Sequence, residues 1–131
     1  TPTPSSAASD VYKRQVSKTI YPGLDSHPQH EIACKQQLSP KGENVFGSML
    51  SIDLGDVEFR DRFLKNIEIF QLAESLGSVE SLVCVPYFMT HAAVPVETKL
   101  EMGITESLVR LSIGIEDIED LKNDLAIALE K

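Results

Sequence analysis

The sequence predicts an α/β domain with a small, largely antiparallel sheet of about four short strands and helices mainly on one face. Residues 46–54 alternate, with Ser48, Leu50, Ile52 and Leu54 on one side and Met49, Ser51 and Asp53 on the other, as a half-buried strand does. Phe59, Phe63, Leu64 and Ile67, and later Ile118, Leu121, Leu125 and Ala128, recur at helical spacing. Strand-like and helix-like runs follow one another irregularly, which argues against a doubly wound parallel sheet.

Composition bounds the reading further. A chain of 131 residues suits one domain, and 42% apolar residues can fill a core. No apolar run is long enough to span a membrane. A net charge of -8 argues against nucleic acid or an anionic membrane as partner. Cys34 and Cys84 form no disulfide framework and read as reduced thiols, so a cytoplasmic location is expected.

Residues 1–15 read as a disordered or artefactual tail, leaving 16–131 as the domain. The first eight are only Thr, Pro, Ser and Ala, too small to build a core. The run SSAASDVYKRQ resembles read-through at a broken gene end or a flexible linker, and either reading implies sequence upstream. Val16, Thr19, Ile20 and Tyr21 then make a short strand that stops at Pro22-Gly23. Pro28 suits the first turn of a helix running to about residue 37, with Ile32, Ala33 and Gln36 on one face. His27, His30 and Cys34 share its spacing, but a zinc site needs a fourth ligand that no paired motif supplies, so they read as ordinary first-turn and surface residues. Residues 39–44 form a loop.

After the alternating strand, Gly55-Asp56 caps the helix through Ile67, which carries Arg60, Asp61, Arg62 and Lys65 on its outer face. Residues 69–73 and 82–85 are short strands, the second stopped by Pro86, and Cys84 packs as a small hydrophobe. His91 is a possible general base, but no nucleophile neighbours it and a hydrogen-bonded structural role is favoured. A helical turn at 97–102 ends at Gly103. Residues 108–113 are the last strand, with Val109, Leu111 and Ile113 on one face and Leu108, Arg110 and Ser112 on the other. Asp117 and Glu119 fit the first turn of the final helix.

Two segments carry chemistry. Residues 74–81 are a turn rich in Ser and Gly, whose hydroxyls and backbone N–H groups suit an anion; a plain connection has the same composition. Arg110 is one cation in an apolar strand and needs an anionic partner. That partner is either a structural carboxylate, since the chain has 20 acids, or a ligand carboxylate on which Ser75 and Arg110 converge.

Five blocks in order resemble the C-terminal part of the cystathionine γ-synthase, cystathionine γ-lyase and methionine γ-lyase family of pyridoxal-phosphate enzymes. They are YPGLDSHPQH at 21–30, FGSM at 46–49, LAESLG at 72–77 with VESL at 79–82, MTHA at 89–92, and GIT at 103–105 leading to LVRLSIGIED at 108–117. The resemblance implies the C-terminal domain of a fold-type I enzyme. Arg110 would grip the substrate α-carboxylate with Ser75, Glu74 would tune substrate choice, and Thr90 would line the same cleft. It implies a sulfur-containing amino-acid substrate, a homotetramer, and pyridoxal 5'-phosphate bound by upstream sequence that holds the Schiff-base lysine. The cofactor supplies the electron sink and the protein the orientation. A fragment of this kind is expected to be inactive alone. The competing expectation is a non-enzymatic α/β module that binds an amino acid and regulates something. This chain departs from the family pattern at Ser48 and Ser78, where a second glycine is usual, and in the run VCVP at 83–86.

Overall fold

In the computed structural model, which describes residues 2–14 and 16–130, the alternating run forms β2 (Met49–Asp53). It pairs antiparallel with β5 (Leu108–Ser112), so that Leu50 faces Leu111 and Ile52 faces Val109, all four buried. Period-two alternation puts these side chains on one face, where each contributes about 2 kcal/mol by leaving water. β1 (Lys18–Ile20) adds antiparallel to β2. β4 (Leu82–Cys84) adds antiparallel to the other side of β5, and β3 (Gln71–Leu72) pairs parallel with β4. The order is β1-β2-β5-β4-β3, one strand more than the sequence predicts. The run read as a strand at 69–73 contributes only two residues to β3, both exposed.

Helices α3 (Val57–Asn66) and α5 (Ile118–Ala128) bury Phe59, Phe63, Leu121, Leu125 and Ala128 in one core with Leu50, Ile52, Val109 and Leu111. The Asp56 cap falls where the sequence puts it, and Asp117, expected in the first turn of the last helix, is that helix's N-cap. Asp56 accepts from the N–H of Phe59 at 2.9 Å, and Asp117 accepts from the N–H groups of Glu119 and Asp120. α4 (Val96–Glu101) ends before Gly103, which has φ +77°. α2 (His30–Gln36) starts later than the spacing predicts, after a series of turns, and Ile32 is exposed while Ala33 is buried.

The expected tail differs most. α1 (Pro2–Lys13) is a helix that packs on α5 and burys Ala7, Ala8 and Val11 in the common core. Alanine is the best helix former, and its small side chain lets two helices approach closely. Thr1 and Gln15, at the ends of that stretch, and Lys131 lie outside the described residues. Arg60 is a second correction. Expected on the outer face of α3, it is 9% exposed, donates to Glu106 O at 2.6 Å, pairs with Asp61 and lies over the Phe88 ring. Among the described residues no helix is long and apolar enough to cross a membrane.

Candidate functional site

Arg110 stands mid-strand on the face of β5 opposite the main core. Its register partners are Ser51 on β2 and Cys84 on β4. The side chain is half-buried, so solvent shares in stabilising its charge. One Nη2–H donates to the carbonyl oxygen of Glu74 at 2.9 Å. Among the described residues no carboxylate comes within ion-pair distance of the guanidinium. The structural ion pair is thus not the partner found. A guanidinium carries five donors in a planar fork, and a single carbonyl leaves it able to take a two-oxygen acceptor.

The loop at residues 74–81 lies against the end of β5. The N–H of Gly77 donates to Ser112 Oγ at 2.9 Å, and the N–H of Ile115 donates to Val79 O at 3.0 Å. Ser81 is completely buried. Its N–H and hydroxyl donate to the two oxygens of Glu116 at 2.9 and 2.7 Å, and its Oγ accepts from the N–H of Gly114 at 2.8 Å. Burial pushes the Glu116 carboxyl up, but both Ser81 hydrogen bonds outweigh it and hold the group below the ordinary range. A Cβ on Gly114 would overlap the carbonyl oxygen of Val79, so only glycine permits this approach. The left-handed positions are Gly47 (φ +80°) and Gly77 (φ +73°) themselves, glycines that this chain keeps; Ser48 and Ser78 follow them.

The structure brings Glu74 to Arg110 through its carbonyl and sets Ser75 next in the chain, exposed. Thr90 is exposed and its hydroxyl is within 2.7 Å of His91 Nδ1, so this pair is joined to each other and not to the arginine. His30 donates from Nδ1 to Pro22 O at 2.8 Å, and its Nε2 lies 3.4 Å from Cys34 Sγ and 3.2 Å from Asp25. His27 accepts from the N–H of Gln29. Among the described residues no group of three or more such side chains is arranged to hold a metal ion. Sequence reasoning missed the anchoring roles of Ser112, Ser81 and Glu116. Their partners lie 35 and 33 residues away, beyond any spacing rule.

Lys99, the buried lysine among the described residues, lies over the Tyr87 ring and donates to Tyr87 O and Ala92 O at 3.0 and 3.3 Å. Its amino group is committed to pinning that turn.

Comparison with known proteins follows this geometry. The family model described as "Cys/Met metabolism PLP-dependent enzyme" matches residues 10–130. The chain is 52% identical over 118 residues to a cystathionine beta-lyase of Lactococcus lactis subsp. cremoris (strain MG1363), covering 90% of this chain and 30% of that protein. It is 50% identical over 115 residues to a cystathionine gamma-lyase of Bacillus subtilis (strain 168), covering 88% of this chain and 29% of the relative. A crystal structure of cystathionine gamma synthase from Xanthomonas oryzae pv. oryzae, in complex with cystathionine, superposes with a TM-score of 0.81 at 42% identity, covering 95% of this chain and 32% of that one. The chain thus spans about 30% of the length of the curated relatives it matches.

Proposed function

The chain belongs to the Cys/Met metabolism PLP-dependent enzymes, and from that premise we propose that it supplies the substrate α-carboxylate clamp of a cystathionine-type transsulfuration enzyme. The observation that carries this is the state of Arg110: fixed by Glu74 O, half-exposed, and with no carboxylate partner among the described residues. Arg110 would hold the carboxylate by two parallel hydrogen bonds, and the hydroxyl and backbone of Ser75 would complete the hold. Glu74 would bias the choice of side chain, and Thr90 would line the same cleft. A hold at two points leaves the amino acid one orientation, which lowers the entropic part of the barrier. Residues that bind the cofactor are assigned to the remainder of the enzyme. The relatives carry β-lyase, γ-lyase and γ-synthase names, so the α-carboxylate, present in every such amino acid, is the part of the substrate this site addresses.

The test is Arg110→Ala in the full-length holoenzyme with L-cystathionine. The efficiency kcat/KM should fall about 100-fold or more, while the visible absorbance of the bound cofactor survives. Unchanged steady-state kinetics would sink the assignment.

A further inference from the structure

The 74–81 loop raises a question that the clamp alone does not answer: what gives it a shape? Residues 74–80 are all exposed, and its two large apolar side chains, Leu76 and Val79, face solvent. Packing therefore does not fix it. Its ties are polar and, apart from the bond Ser81 O accepts from the N–H of Gln71 in β3, those to other elements run to β5 or to the turn just after it. Glu74 is tied to Arg110, Gly77 to Ser112, Val79 to Ile115, and Ser81 to both Gly114 and Glu116. The loop is thus set in register on the strand that carries the arginine. Ser81 is fully buried, so removing its hydroxyl strands its partners away from water, and removing the 1% exposed Ser112 hydroxyl cuts the tie that holds the Gly77 N–H.

We propose that Ser112, Ser81 and Glu116 are positioning residues for the carboxylate clamp: they hold the Ser75 loop at a fixed distance from Arg110 and so set substrate affinity without contacting the substrate. This rests on the reading of Arg110 and Ser75 given above. Displacement of a binding group by about 1 Å is enough to lose much of its contribution. A purely structural role would lower stability and leave affinity alone.

The experiment uses the full-length holoenzyme with L-cystathionine as probe, and Ser112→Ala, Ser112→Thr, Glu116→Gln and Arg110→Ala as variants. KM and kcat are measured beside amide hydrogen exchange of residues 75–81. For Ser112→Ala and Glu116→Gln, KM should rise about tenfold with kcat within about twofold, and exchange across the loop should quicken. Ser112→Thr keeps the acceptor oxygen and should restore both. If Ser112→Ala does not fold, Glu116→Gln, on a partly exposed side chain, carries the comparison. KM within about twofold of the parent in the loop variants, alongside a large rise in Arg110→Ala, overturns the positioning role and leaves the clamp standing. KM unmoved in Arg110→Ala as well overturns the clamp and the proposal together.

Discussion

At the scale of single residues, two buried or half-buried aspartates join distant parts of the chain. Asp124, on the buried side of α5, accepts from the N–H groups of Glu68, Ile69 and Phe70, which follow α3. Asp53 accepts from Ser107, Thr105 and Gly55 at 2.5, 2.8 and 2.9 Å. Burial pushes the Asp53 carboxyl up, yet the bonds from Ser107, Gly55 and Thr105, helped by the Lys18 charge, leave it below its ordinary value. A carboxyl held low in the folded state adds stability above its unfolded pKa and loses it as pH falls through the folded value. Asp53 and Glu116 are both of this kind. The urea midpoint should accordingly hold down to about pH 4, the ordinary carboxylate range, and fall below it. Asp53→Asn should flatten that fall; an identical slope in the variant would show that this carboxyl is not responsible. A cation in an apolar strand and a Ser/Gly turn are visible in linear sequence, and the structure joins them through the bond from Arg110 to Glu74 O. Ser112, Ser81 and Glu116 were not legible there, since a serine in a strand or a glutamate after one has no local mark of its distant partner.

At the scale of elements, strand alternation and helix caps were readable because each depends on residues only a few positions apart. The parallel pairing of β3 with β4 was not, because two exposed residues carry no periodicity. Arg60 was misread for a related reason: its cover comes from Glu106 and Phe88, far along the chain. The same limit hid α1, whose Ala7, Ala8 and Val11 become core only when α5 lies beside them. If α1 is part of the fold, Val11→Ala should lower unfolding free energy by about 1–2 kcal/mol in a denaturant titration. A midpoint equal to the parent's would mean that α1 contributes nothing to the fold's stability.

At the scale of the whole molecule, the loop proposed to complete the carboxylate hold is bordered by exposed apolar side chains. Leu72, Leu76, Val79 and Ile115 are more than half exposed, Ile115 at 81%, around the same loop. With the cofactor-binding residues assigned to the remainder of the enzyme, the chain alone, given pyridoxal phosphate and L-cystathionine, is expected to release no small thiol. Steady thiol release in a colorimetric assay would contradict that division of labour. The sheet's margins also shape how such a domain meets others. β1 offers three residues and β3 two, so a foreign extended peptide finds hardly a row of main-chain groups to zip onto. Among the described residues, the short rims leave strand-by-strand stacking little main-chain template from which to start.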